Sequence, residues 1–300
     1  MLGKLIKNEW KATWKFPTLI SLFVLIMTIL GVLSFKMPFW SKLTSANFES
    51  FSFFDLAALA ILVMYFVYIV VAVYAVMIYF SIRFYKNMYT DEGYLTHTLP
   101  VKPSAHIFSK TLISGTWYLA ETILMLGSLF WLLVTFFNTL TGGFELSAAE
   151  LKAAGLDLSM EAANRVFAEI GGMPLWAFIA LMIVITVISS YSSMLIIYLC
   201  ISIGQLFKKH KVIASLLTYL VVTTVMQIVL TIAIMPVSFS MMLDGDYIAI
   251  MESSDIMAGM LAPYAMMSPL FIISLIATIV FSVVSYFVSE YIMRRKLNLD

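Results

Sequence analysis

The distribution of apolar residues along the chain is the feature that most limits its fold. Six apolar runs of about 20 residues or more follow one another, separated by short polar segments. In lipid, a spanning segment must satisfy its own backbone hydrogen bonds, so each run predicts a transmembrane α-helix. The chain is therefore predicted to be an all-α polytopic membrane protein with a six-helix transmembrane domain over residues 17–300. The predicted spans are about 17–35, 55–81, 111–137, 174–204, 212–236 and 266–289.

The composition agrees with this class of protein. Hydrophobic residues make up 62% of the chain and charged residues only 12%, whereas a soluble domain carries about 25% charged residues. So few charges cannot cover a surface that faces water. The single cysteine, Cys200, excludes an internal disulfide and a cysteine-rich metal cluster.

The charges are distributed unequally between the two sides of the membrane. With six spans, both termini lie on one side, together with the segments 82–110 and 205–211. This side carries 14 Lys and Arg against 5 Asp and Glu, and the opposite side carries 4 against 11. Lys and Arg near the ends of spans mark the cytoplasmic side. Both termini are therefore predicted to be cytoplasmic.

Residues 1–16 are predicted to form an amphipathic helix in the plane of the membrane surface. At 100° per residue, four lysines fall within an arc of about 80°. The other side carries apolar and tryptophan residues, a pattern typical of interfacial helices. The lysines are Lys4, Lys7, Lys11 and Lys15, and the opposite residues are Leu2, Leu5, Ile6, Trp10 and Trp14.

Two segments on the acidic, extracellular side are predicted to be more than loops. Residues 138–173 form a helical cap, with one short helix near 147–155 and a second near 159–171. Residues 237–265 are too polar to span but contain apolar pieces and Pro263. They are predicted to form short or re-entrant helices, which need protein or water to cover their backbone.

The motif content argues against an enzyme. No segment matches G-x-x-x-x-G-K-[ST], the loop whose amides and lysine hold the phosphates of ATP. The three histidines lack metal-ligand spacing, and the adjacent acids Asp91 and Glu92 would point about 100° apart on a helix. We therefore expect no catalytic residue, no metal, no cofactor in this chain and no nucleic-acid partner.

Several polar residues lie inside the predicted spans. Glu121 is near the middle of span 3, where an ionisable side chain must face protein or water because its burial in lipid is costly. Hydroxyl and small residues recur at helical spacing in other spans, where they also serve close helix packing. The candidates for lining a translocation pathway are Tyr65, Tyr68, Tyr79, Glu121, Gln227 and Thr231.

The segment 82–110 contains the chain's most distinctive motif. It reads DEGYLTHTLPVKPSAHIFSK from Asp91 to Lys110 and joins spans 2 and 3. An apolar helical face continues past span 2 into it, and Pro100 ends the helical pattern. The segment is therefore predicted to be a short amphipathic helix tied at both ends to transmembrane helices.

This motif and the layout around it resemble the permease subunits of ABC-2 type exporters, especially small ones of Gram-positive bacteria. In that family a D-E-G-Y-L…T-L-P-V block follows the second span and forms the coupling helix. The resemblance implies a subunit in the bacterial cell membrane, paired with a second permease chain. A separate ATPase subunit would bind ATP and Mg²⁺. Its expected contacts in this chain are Met88, Tyr89, Asp91, Glu92, Gly93, Tyr94, Leu95 and Thr98.

The resemblance further implies that residues 1–16 flank the ATPase as a connecting helix. A cavity lined by Tyr, Met and Phe favours an amphiphilic, lipid-like or hydrophobic peptide cargo. A secondary transporter or channel is an alternative, but it calls for inverted repeats and ion sites at the midplane, which the sequence does not display. A membrane scaffold or enzyme is a further alternative, for which Glu121 is the one argument.

Overall fold

The structure is a computed structural model that describes residues 2–44, 52–90, 93, 102–140, 160–243 and 256–295. These residues form ten α-helices and no strand. Six of the helices are long and apolar enough to cross a membrane, which confirms the predicted all-helical, six-span class. The helices are α1 Leu2–Thr13, α2 Lys15–Ser34, α3 Pro38–Thr44, α4 Phe53–Tyr89, α5 Pro103–Leu140, α6 Met160–Ile170, α7 Leu175–Gly204, α8 Lys211–Met242, α9 Ile256–Met266 and α10 Ser268–Arg295.

Several helices run past the predicted ends of the spans. Helix α4 continues to Tyr89 without a break, and α5 begins at Pro103, so the connection 90–102 is much shorter than the predicted loop 82–110. Helix α8 passes through Pro236 and ends at Met242. The physical reason is that hydropathy marks the apolar part of a helix, whereas backbone hydrogen bonding continues into the polar flanks.

The short helices occupy the predicted polar segments. Helix α6 lies in the predicted cap and α9 in the predicted re-entrant segment. The predicted helix near 147–155 lies outside the described residues. Helix α3 was not predicted. It is held by tertiary contacts, since the Trp40 indole N–H donates to the Ser34 carbonyl at 3.1 Å and its ring packs against Phe35 and Phe136.

The described helices fall into two compact units, α1–α5 and α6–α10. In the first unit, α2 packs against both α4 and α5, and α1 lies along α5. Gly31 makes this close approach possible, because a Cβ there would lie 2.9 Å from Leu132 of α5 and 3.4 Å from Tyr65 of α4. Seven buried apolar residues form the core at this level: Phe35, Phe39, Trp40, Ala58, Tyr65, Ile69 and Leu132.

An ion pair joins α3 to the start of α4 in the first unit. Lys42 of α3 donates to Asp55 of α4 at 2.6 Å. The same carboxylate accepts hydrogen bonds from the backbone N–H and the hydroxyl of Ser52, at 2.7 and 2.9 Å, which caps the start of α4. One buried acid therefore fixes both the start of the second span and the preceding short helix.

In the second unit, α7 packs against α8 and α10, and α6 packs against α9. Phe178 of α7 contacts both α6 and α10. Its ring centroid lies 4.7 Å from that of Phe167 in α6 and 5.9 Å from that of Phe271 in α10. Asn164 of α6 accepts a hydrogen bond from the backbone N–H of Leu175 at 2.9 Å. This side-chain oxygen satisfies one of the free amides at the start of α7.

Candidate functional site

The strongest polar cluster of the described residues lies where α1, α4 and α5 meet. Glu9 of α1 accepts a hydrogen bond from Lys110 of α5 at 2.5 Å and from the Arg83 guanidinium of α4 at 3.3 Å. The three side chains are largely withdrawn from solvent, with exposed fractions of 14% for Glu9, 6% for Lys110 and 25% for Arg83. One carboxylate therefore ties the N-terminal helix to both neighbouring spans. We call these three residues the Glu9 cluster.

The electrostatics of the Glu9 cluster favour the ionised carboxylate. Burial raises the pKa of Glu9, but the positive charges and hydrogen bonds of Lys110 and Arg83 lower it by more. The net pKa of Glu9 lies below its ordinary value of 4.5. Glu9 is therefore charged throughout the neutral range, and the ion pairs persist there.

Aromatic contacts support the same junction. The rings of Trp10 and Trp117 are stacked with centroids 5.0 Å apart, which joins α1 to α5. Phe16 and Tyr79 are stacked at 4.5 Å, which joins the start of α2 to α4. Stacked rings at these distances add packing energy and fix orientation. The N-terminal helix is thus attached to the first unit by both charge and aromatic packing.

The Glu9 cluster lies next to the segment that carries the distinctive motif. Arg83 is six residues before the end of α4, and Lys110 is seven residues after the start of α5. Of the eight predicted ATPase contacts, only three are among the described residues. Met88 is fully buried and Tyr89 is half-buried. Asp91, Glu92, Tyr94, Leu95 and Thr98 lie outside the described residues.

Gly93 is the third of these contacts, and its surroundings require a glycine. Its backbone N–H donates to the Thr90 carbonyl at 2.7 Å, which forms a turn after α4. A Cβ at this position would lie 2.6 Å from the Met88 carbonyl oxygen. Any side chain would therefore displace the turn from the end of α4.

A second polar contact lies within the spans of the first unit. The Ser21 hydroxyl of α2 donates to Glu121 Oε2 of α5 at 2.7 Å. Glu121 is 2% exposed, and its Oε1 has no hydrogen-bond partner among the described residues. Tyr68 of α4 donates to the Ile20 carbonyl at 3.4 Å, one residue from Ser21. Glu121 therefore faces protein, as its position in span 3 predicts.

A chain of three hydroxyls continues this polar contact between the same helices. Thr28 Oγ1 lies 2.7 Å from Ser128 Oγ, and Tyr65 Oη lies 2.6 Å from the same atom. Thr28 donates its own hydrogen to the Val24 carbonyl at 2.7 Å, so it accepts from Ser128. Each hydroxyl has one hydrogen to donate, so Tyr65 donates to Ser128. The chain joins α2, α4 and α5 in one fixed direction.

The predicted pathway residues fall into two groups. Tyr65, Tyr68, Tyr79 and Glu121 lie in the first unit at different levels along α4 and α5, where they make the contacts given above. Gln227 and Thr231 lie on an exposed part of α8 in the second unit. The Thr231 hydroxyl donates to the Gln227 carbonyl at 2.8 Å within the helix. A pathway role for these residues stays a prediction.

Sequence reasoning missed the Glu9 cluster, although a signal was present. On a helical wheel Glu9 lies about 160° from the middle of the lysine arc, between the apolar positions. An acid on the apolar side of a basic helix calls for a cationic partner. The Lys and Arg residues nearest the ends of spans 2 and 3 were the available partners.

Comparison with known proteins gives no relative. No family model, no curated protein and no solved structure matches this chain.

Proposed function

We propose that the chain is the transmembrane permease subunit of an ATP-driven exporter of the ABC-2 type, located in a bacterial cell membrane with both termini in the cytoplasm. Two permease chains would form the translocation pathway. A separate ATPase subunit would bind ATP and Mg²⁺ and contact the segment 88–98. The expected cargo is amphiphilic, such as a lipid-like molecule or a hydrophobic peptide.

The observation that carries this proposal is the Glu9 cluster. The resemblance needs a segment on which an external subunit can pull or push, with a rigid connection to the spans. The connection 90–102 lies between α4 and α5, and Glu9 joins these two helices to α1 within about two turns of that connection. A displacement of the segment would therefore move three helices together.

The distribution of charge within the spans also supports an external energy source. Among the described residues, Glu121 is the ionisable acid near the middle of a span, and it accepts a hydrogen bond from the Ser21 hydroxyl at 2.7 Å. Ion-coupled pumps use several titratable residues along their path. Many span hydroxyls, such as those of Ser274, Thr278 and Ser282, instead donate to carbonyls of their own helix at 2.6–2.8 Å. They need no ion or substrate as a partner.

Co-purification tests the proposal. The affinity-tagged chain is isolated in mild detergent from membranes of the organism that makes it, and bound proteins are identified by mass spectrometry. We expect an ATPase subunit with a Walker A sequence, and ATP hydrolysis that responds to cargo. Recovery of the intact chain without any ATPase would contradict the proposal and favour a secondary transporter, a channel or a scaffold.

A double substitution locates the contact. We expect Glu92→Lys with Gly93→Ala to leave the chain folded and to uncouple ATP hydrolysis from transport. The first change reverses a charge in the predicted contact, and the second displaces the turn after α4. Glu161→Lys is the matched control, because Glu161 is an exposed acid of α6 in the segment predicted to be extracellular. Equal coupling in both variants would argue against a docking role for this segment.

A further inference from the structure

The turn between α7 and α8 forms a groove that the proposed function does not use. The groove has a volume of about 400 Å³, within the range of roughly 300–1,000 Å³ that is typical of small-molecule sites. Its walls come from the turn and from the first three turns of α8. The residues that matter for recognition are Phe207, Lys209, His210, Ile213, Leu217 and Val221.

The walls of the groove are apolar along most of its length. Ile213, Leu217 and Val221 follow one another at intervals of four residues, so they form one stripe about 12 Å long on α8. The nearby hydroxyl of Thr218 donates to the Ala214 carbonyl at 2.8 Å and so is satisfied within the helix. A ligand in this part of the groove therefore meets a hydrocarbon surface.

The mouth of the groove is cationic. Lys209 lines the groove, and Lys208 in the turn and Lys211 at the start of α8 are close to it in the sequence. The chain has no Asp or Glu from 170 to 243. The salt bridges of the described residues join acids to Lys42, Arg83 and Lys110 instead. The three lysines of the turn thus carry positive charge that no acid of the described chain neutralises by direct contact.

The turn has a defined shape that brings these parts together. A Cβ on Gly204 would lie 2.7 Å from the Cα of Ser215, so α7 and α8 approach closely there. His210 has a φ of 56°, in the left-handed region, and starts α8 directly after the lysines. Because both helices are candidate spans, we expect the turn at the depth of the lipid headgroups and the stripe below it.

We propose that this groove binds one anionic phospholipid, with its phosphate at Lys208, Lys209 and Lys211 and an acyl chain along the stripe of α8. Charge complementarity selects this occupant. A zwitterionic lipid has no net charge and would leave the positive charge of the lysines uncompensated. In a symmetric pair, a second copy of the chain would bring the same lysines toward one another. The inference is independent of the proposed transport function.

Native mass spectrometry of the intact detergent-purified chain tests the proposal. The probes are phosphatidylglycerol and phosphatidylcholine with identical acyl chains. We expect one phosphatidylglycerol to bind in preference to phosphatidylcholine. Each lysine near the headgroup contributes a factor of about five, so Lys209→Gln should weaken phosphatidylglycerol binding about fivefold. Replacement of all three lysines by Gln should weaken it about 100-fold.

Two matched controls separate the groove from general attraction to basic residues. Replacing Lys4, Lys7 and Lys11 of α1 by Gln removes the same charge elsewhere, and we expect it to leave the first phosphatidylglycerol in place. Ala214→Trp fills the groove without changing charge and should reduce binding, whereas Val212→Trp on the other face of α8 should not. If Ala214→Trp does not fold, Ala214→Leu replaces it as the variant that fills the groove.

Three results would overturn the proposal. The first is equal binding of the two lipids, and the second is an equal loss from the α1 and turn variants. The third is a change of oligomeric mass in Ala214→Trp with unchanged lipid binding, which would make the groove an interface between copies of the chain.

Discussion

Replacement of Glu9 by glutamine is the sharpest perturbation that the structure offers. Gln keeps the size of the side chain but removes the charge that holds Lys110 and Arg83. Breaking a fully buried ion pair costs about 3–5 kcal/mol, and an exposed pair is worth about 0–1 kcal/mol. Lys110 is 6% exposed, so in the variant it loses the Glu9 carboxylate while its own charge stays buried. Arg83 is 25% exposed, so water can solvate its guanidinium instead. We therefore expect a loss of about 2 kcal/mol for the docking of α1.

Hydrogen–deuterium exchange in lipid nanodiscs measures this loss directly. A change of about 2 kcal/mol shifts the opening equilibrium about 30-fold, so amides of residues 2–13 should exchange about 30-fold faster in Glu9→Gln. Lys11→Gln is the control, since Lys11 is exposed on the same helix and forms no ion pair with the residues that the structure describes. The stack of Trp10 on Trp117 remains in both variants. Equal exchange in the two variants would refute the argument that Glu9 holds the helix.

The pH dependence provides a second readout of the same contact. Because the pKa of Glu9 is lowered in the folded chain, its contribution to docking is fully present above its ordinary value of 4.5. That contribution is lost as the pH falls through the lower folded pKa. After correction for the intrinsic exchange rate, wild type should approach Glu9→Gln at acidic pH. From pH 5 upward the difference should stay constant. A difference that changes between pH 6 and 8 would contradict the assignment to Glu9.

Three further predictions concern other contacts of the first unit. Ser128→Ala breaks both hydrogen bonds of the hydroxyl chain and should lower stability by about 1 kcal/mol in a denaturant titration, whereas Tyr65→Phe breaks one bond and should cost less. Glu121→Gln should retain the fold and alter the pH dependence of cargo transport, and an unaltered profile would leave Glu121 as a packing residue. Gly93→Ala should reduce recovery of the co-purifying ATPase, whereas Gly127→Ala should not, because a Cβ at Gly127 meets no atom within 4 Å.

The number and class of the candidate membrane spans could be predicted from the sequence because apolar length is a property of each segment alone. The same is true of the buried position of Glu121, since a carboxylate in the middle of a span must turn toward protein. Its partner Ser21 could not be predicted, because the two residues are 100 positions apart and their contact depends on the register between α2 and α5. Helix α3 could not be predicted for a similar reason, since Trp40 stabilises it through contacts with other helices.

The role of Glu9 depends on its contacts in the folded chain, which the local sequence of α1 does not specify. The four lysines dominate the sequence of α1 and predict attraction to the membrane surface. In the structure the single acid makes the connection, because it lies opposite the lysines and faces two cations that the spans have already withdrawn from water. The lysine face stays exposed while the acid face binds the spans. If an ATPase acts on segment 88–98, α1 must therefore follow the motion or give up its ion pairs, and the exchange rate of residues 2–13 becomes a direct measure of that coupling.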